Sequence, residues 1–213
     1  MKSPRGPGVI LGMITRRHLL ASGLAFAALG GTPARADEAF GARLGQAALD
    51  RLAFRVTYDP AYVRIPYPMG DVPPEKGVCA DEVIRAYRTL GIDLQREVHE
   101  DMRAAFHLYP RNWGLKAPDS NIDHRRVPNL ERFFTRKGKS LPLSTDGAEY
   151  RPGELVTWRL GGRLPHIGIV TPRMTLDGTR PLIEHNIGAG PMLEDVLFAF
   201  PMAGHFRYWP QRA

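Results

Sequence analysis

The chain changes periodicity once, and that change limits its possible folds more than any other feature. Before Gly138, apolar residues recur at helical spacing: Phe40, Leu44, Ala47, Ala48 and Leu52 within 38–53, then Leu94, Val98, Met102 and Ala105, then Leu130, Phe133 and Phe134. After Tyr150 the pattern becomes short runs rich in Val, Ile and aromatics, "GELVTWRL", "HIGIVTP", "PLIEHNIG" and "GHFRYW", separated by Gly, Pro and Asp-Gly signals. Helices first and strands second predict an α+β chain whose antiparallel meander packs on the helices. Between the first two helices, residues 57–78 hold five prolines and read as an extended loop with a short strand near Val63. The next helix runs from Cys79 to Leu90 and is stopped by Gly91, and Asp93 caps the one that follows. Residues 111–126 read as loop.

A chain of 213 residues can bury a core in one domain without disulfides or metals. Its formal charge of +7 points toward nucleic acid until the charge is located. Lys2, Arg5, Arg16, Arg17 and Arg35 all precede the first acid, Asp37, and without these five the 29 bases become 24 against 22 acids. So small an excess does not support nucleic acid as a partner. The same early segment has a basic start, an apolar run of about 13 residues from Leu19 to Gly31 and a small-x-small ending at Ala34-Arg35-Ala36. That is the order of a secretory signal peptide, and the run is shorter than the ~20 residues of a membrane span. Thr15-Arg16-Arg17-His18-Leu19-Leu20 also resembles the twin-arginine export signal. The expected organisation is a signal peptide over 1–36, with Met13 as an alternative start, and a single domain over 37–213. The mature protein is expected to be a periplasmic or secreted monomer without a transmembrane segment.

Export gives the single cysteine, Cys79, a sharper meaning. Exported proteins use cysteines in pairs, so a lone one is either a reactive thiol, a bridge to another molecule or a buried inert residue. A helix start supplies a dipole that lowers the thiol pKa and free N–H groups for an oxyanion, while Asp81 and Glu82 in the first turn act against the thiolate. Cys79, Val83, Ala86 and Leu90 also form a core-facing stripe, which favours the inert alternative equally. His166 opens the "HIGIV" run directly after Pro165, and His185 lies in the next strand-like run. Neighbouring antiparallel strands bring facing positions into contact, so His185 can fix the tautomer of His166. Cys79, His166 and His185 then fill the roles of nucleophile, base and orienting group. Zinc held by the same three residues suits their chemistry, but the chain has no closely spaced ligand pair. Asp123, His124, Arg125 and Arg126 form a loop cluster suited to gripping a substrate carboxylate, or else to pinning the loop by an internal ion pair. Tyr67, ahead of Cys79, is placed to close over a cleft.

In order, "GVCADEVIRAYRTLGIDLQ", "YPRNWGLKAPDSNIDHRRVPNL", "YRPGELVTW", "HIGIV" and "IEHNIG" resemble a secreted bacterial family known as domain of unknown function 1287. That family is similar in turn to the papain-like cell-wall peptidases and amidases of the NlpC and CHAP type. The resemblance implies a papain-like, NlpC-type α+β fold, with N-terminal helices packed on a small antiparallel sheet. It implies Cys79 as nucleophile, His166 as base and His185 as orienting residue, with no metal and no cofactor. The implied activity is that of a cysteine amidase or endopeptidase on peptide or amide bonds of peptidoglycan. This chain reads V-C-A-D-E where the wider clan reads D-C-S-G-F, which supports a non-catalytic cell-wall binding module as the alternative. Acyl transfer to an amine or hydroxyl would use the same triad. N-terminal sequencing of the protein from a periplasmic or extracellular fraction should begin at Asp37; an intact Met1 or Met13 on most of the soluble protein would contradict the export signal.

Overall fold

The segment expected to be helical over 38–53 forms α1, Pro33–Arg51, in the computed structural model, which describes residues 1–2 and 33–210. The upstream export motifs lie outside the described residues, and the expected cleavage point after Ala36 falls at the end of the first turn of α1. Leu44, Ala47 and Ala48 are buried in the core. The described residues from Pro33 onward make one compact unit, and among the described residues no helix is long and apolar enough to cross a membrane.

The other helices keep their expected boundaries because their caps are written locally. In α2, Cys79–Thr89, the N3 residue Asp81 reaches back to accept the Val78 N–H at 2.6 Å. The helix closes on Gly91, at φ +76°, with the Ile92 N–H bonded to the Tyr87 carbonyl at 3.1 Å. Asp93 caps α3, Leu94–Ala105, by accepting the Arg96 N–H at 3.2 Å. Pro128 lies in the first turn of α4, Val127–Lys137, which buries Leu130, Phe133 and Phe134.

The loop over 57–78 is extended, but its pairing is not near Val63. Instead its two ends, β1 (Thr57–Tyr58) and β2 (Lys76–Gly77), pair in parallel beside a Lys76–Asp59 ion pair of 2.9 Å. The prolines between them remove backbone donors, so the middle of the loop is held by side chains instead. Gln95 of α3 accepts the Gly70 N–H at 2.8 Å and donates to the carbonyls of Pro66 and Ser120.

Among the described residues the expected antiparallel sheet has six strands: β3 (Lys139–Ser140), β4 (Leu155–Leu160), β5 (Leu164–Met174), β6 (Pro181–His185), β7 (Met192–Glu194) and β8 (Met202–Arg207). Their order is β3-β8-β4-β5-β6-β7, and every pairing is antiparallel. Leu155, Ile167, Ile169 and Phe206 join the helices in the larger core cluster. Val156, Trp158, Val170 and Ile183 point the other way and pack with Tyr150 and Leu197. A strand buried on both faces reads as a continuous apolar run, which is why Leu155–Trp158 does not alternate.

One carboxyl breaks the apolar pattern. Glu184 of β6 stands opposite Ile169, is fully buried, and has no hydrogen-bond partner on either oxygen among the described residues. Burial pushes its pKa well above the carboxylate range; the nearby Glu82 charge adds to this, and Arg51 only partly offsets it. The folded chain therefore keeps a proton that the unfolded chain releases, so stability falls as pH rises from the unfolded pKa, about 4.3, toward the raised folded value. Glu184→Gln, which cannot ionise, should melt a few degrees above the wild type at pH 8, with the difference shrinking toward pH 5. Thermal unfolding of both proteins across that range checks it, and a difference independent of pH would contradict it.

Candidate active site

The site is built around the start of α2, where every residue from Cys79 to Tyr87 is buried. Three of these carry charge, and each is paired from another element. Asp81 accepts Nε and Nη2 of Arg125 at 2.8 and 2.9 Å, Glu82 accepts Nε of Arg51 at 2.8 Å, and Arg85 donates to Asp71 at 3.0 Å. The acids that argued against a thiolate at this position are thus engaged by arginines rather than left bare at the helix start.

Cys79 itself is neutral at rest. Its sulfur lies within hydrogen-bonding reach of the Ile167 N–H of β5, the Ala80 N–H of its own helix and the Tyr58 hydroxyl. Burial nonetheless pushes the thiol up to about 11, and the Asp81 carboxylate adds to the shift. The expectation that the helix dipole would lower this pKa is overturned, because removing the sulfur from water disfavours the thiolate more than the nearby donors favour it. Tyr58 is affected in return: burial, and then the sulfur, raise its phenol to about 12.

The two histidines meet as their strands dictate. His166 Nε2 lies 2.9 Å from His185 Nδ1, with the rings at 77° to each other. Gly168 makes this contact possible. A Cβ there would lie 2.6 Å from Ile183 Cγ2 and 3.2 Å from His185 Cβ, so only a glycine leaves the space beside the pair open. His185 Nε2 in turn lies 2.9 Å from Glu194 Oε2 of β7. Ile183 faces Glu194 and His185 faces Met192, so His185 and Glu194 are diagonal neighbours on one side of the sheet. The carboxylate accepts a hydrogen bond from His185 Nε2–H, which leaves Nδ1 to accept from His166 Nε2–H. The chain of bonds thereby assigns the lone pair of His166 to Nδ1, the form a general base requires. Burial pulls the His166 pKa down to about 3, with repulsion from His185 adding, so this imidazole is also neutral at rest.

Cys79 and His166 meet the same short stretch of β5. The sulfur touches the backbone one residue after His166, and no Cys79–His166 hydrogen bond forms among the described residues. Asn186 turns aside, accepting the N–H groups of Gly188 and Gly190. Cys79 lines a cavity of about 430 Å³ together with Tyr58, Tyr62, Trp113, Arg125, Arg126, Leu164 and Pro165. Of the expected substrate-binding residues, Arg125 and Arg126 line it. Asp123 and His124 do not: both are buried, Asp123 receiving the Asp119 N–H and His124 Nδ1 finding no hydrogen-bond partner among the described residues. Tyr67 does not cover the cleft either. It packs edge-on against His99, and Tyr58, brought beside Cys79 by the β1–β2 pairing, occupies the place expected for it. Among the described residues no three His, Cys, Asp or Glu side chains are grouped to hold a metal ion, so the zinc arrangement of Cys79, His166 and His185 is not found.

Residues 45–208 match the family described as a domain of unknown function, DUF1287. The chain belongs to the DUF1287 family. It is similar to the uncharacterized protein YijF of Escherichia coli (strain K12), with 53% identity over 166 residues, 78% of this chain and 80% of that protein. No solved structure matches it. The match takes in Cys79, His166, His185 and Glu194, so this DUF1287 domain contains the entire polar chain as well as the thiol. Sequence reasoning missed Tyr58 and Glu194. A short "MLE" run ahead of Asp195 was the one local trace of β7. A buried thiol pushed up to about 11 has a measurable consequence. Iodoacetamide alkylation of Cys79 should accelerate steadily with pH from 7 to 10, and a plateau below about pH 8 would show a thiolate that this geometry does not support.

Proposed function

We propose that this DUF1287 protein is a cysteine amidase or endopeptidase with a papain-like, NlpC-type fold. Its substrates are peptide or amide bonds of peptidoglycan, and it acts as a secreted or periplasmic monomer. The observation that carries the reading is the Glu194–His185–His166 hydrogen-bond chain, which ends beside the β5 backbone that Cys79 touches. A structural histidine needs one partner, whereas a chain that fixes two tautomers in series prepares a lone pair for proton transfer.

In this mechanism the resting pair is neutral, so the proton moves as the bond forms. Cys79 sulfur attacks the amide carbonyl while His166 Nδ1 takes the thiol proton. The imidazolium is stabilised through His185 by the Glu194 carboxylate. The oxyanion is held by the Cys79 N–H at the helix start and by the Tyr58 hydroxyl. His166 then gives its proton to the leaving amine, and water cleaves the thioester with the same base. Transfer of the acyl group to an amine or hydroxyl differs only in the last nucleophile.

A second reading, a non-catalytic cell-wall binding module, is favoured by one observation, the thiol pushed up to about 11. Incubation with muropeptides and mass analysis of the products separates the two. Amide-bond cleavage is expected, abolished in Cys79→Ala and lowered about 10²–10⁴-fold in His166→Ala. Retention on peptidoglycan without products would favour the binding module, and neither binding nor cleavage would remove both.

A further inference from the structure

The charged residues that line the Cys79 cavity are both arginines. Their acidic partners stand behind them: Asp81 and Asp123 are each 1% exposed and do not line it. The cavity therefore presents cationic groups to whatever enters, although the fold neutralises both charges from below.

The two arginines are not equivalent. Arg125 is largely spent: four of its five N–H groups are used, Nε and Nη2 on Asp81, and Nη1 and Nη2 on the carbonyls of Ala61 and Asp59. Among the described residues the guanidinium of Arg126 makes one hydrogen bond, from Nη1 to Asp123 Oδ1 at 3.0 Å. Its Cζ lies over the Trp113 ring, 4.1 Å from the centroid. A cation–π contact holds the guanidinium without using its N–H groups, so its remaining donors stay available to a carboxylate. Burial lowers the Arg126 pKa, as expected of a cation with less solvation than it can use.

We propose that Arg126, held against Trp113, is the anion-recognition residue of the Cys79 cavity. Given the hydrolase reading above, the substrate class is an amide with a free carboxylate close to the scissile bond. A cavity of about 430 Å³ is of the size that takes a small ligand whole, so the carboxylate and the reacting carbonyl occupy one pocket.

The test uses the single cysteine as its own reporter, with no need of turnover. Purified protein is alkylated with iodoacetate and, separately, with iodoacetamide. The ratio of the two rates at Cys79 is normalised to the same ratio for free cysteine. The wild type should favour the anionic reagent at low salt and lose that preference by about 0.5 M salt as the charge is screened. Arg126→Gln should lower the normalised ratio at least fivefold through the iodoacetate rate alone, and Arg126→Lys should keep part of the preference. Equal changes in both rates would mean only altered access to the thiol, and an unchanged ratio in folded Arg126→Gln would overturn the proposal. If Arg126→Gln does not fold, the salt series on the wild type and the Lys variant decide, and a ratio insensitive to salt overturns it. A selective ratio without muropeptide cleavage would keep the anion site and remove the hydrolase, so the two failures are distinguishable.

Discussion

The bidentate pair between Asp81 and Arg125 organises this end of the molecule. Both side chains are 2% exposed, so the pair is desolvated and depends on all of its bonds being made. Asp81 also accepts the Val78 N–H, which starts the helix that carries Cys79, and Arg125 donates to the carbonyls of Asp59 and Ala61, which holds the loop that carries Tyr58. One interaction thus fixes the helix start, the loop opposite it and a wall of the cavity between them. Removing one member of such a pair costs about 3–5 kcal/mol because the other is left charged and buried. The pair also excuses Asp81 from its conflict with a thiolate, though not entirely, since its charge still adds to the upward shift of Cys79.

A second constraint comes from the sheet. Burying polar groups costs free energy unless each finds a partner, and β5, β6 and β7 provide those partners by register. His185 takes one partner from each neighbouring strand, and the missing side chain at Gly168 leaves room for the first of them. Trp158 lies 5.7 Å from the His166 ring on the β4 side and is itself anchored to the Leu197 carbonyl. The imidazole is therefore bounded by aromatic packing on one side and a hydrogen-bond chain on the other. Glu184, next in sequence to His185, points to the opposite face and has no such partners among the described residues, so it is kept neutral by its proton instead.

The helices and four of the strands were legible because their signals are local. Gly91 ends α2 and Asp93 begins α3 within three residues of sequence, and no distant contact is needed to place either. The pairing of Thr57–Tyr58 with Lys76–Gly77 was not legible. A strand of two residues has no periodicity, and its partner is separated by a loop whose path is set by Gln95 and Asp93. Tyr67 was the wrong tyrosine for that reason: distance along the chain from Cys79 does not measure distance across a folded loop. Glu194 was missed on similar grounds, since β7 has three residues and becomes a strand only against β6.

The sequence by itself determined the class of fold, the position of the thiol at a helix start and the adjacency of the two histidine strands. Caps, glycine stops and periodicity act over a few residues, so the physics that sets these features is present in any short window. Only the tertiary structure decided the protonation states, the end of the hydrogen-bond chain at Glu194 and the division of labour between Arg125 and Arg126. Those properties depend on which groups are removed from water and which opposite charges meet them there. The same "DHRR" stretch yields a buried aspartate, a histidine whose Nδ1 has no hydrogen-bond partner among the described residues, an arginine bound to Asp81 and one set over Trp113. Nothing in the order of the four letters distinguishes those fates, because they depend on residues outside the stretch: Asp119 at Asp123, Asp81 at Arg125 and Trp113 at Arg126.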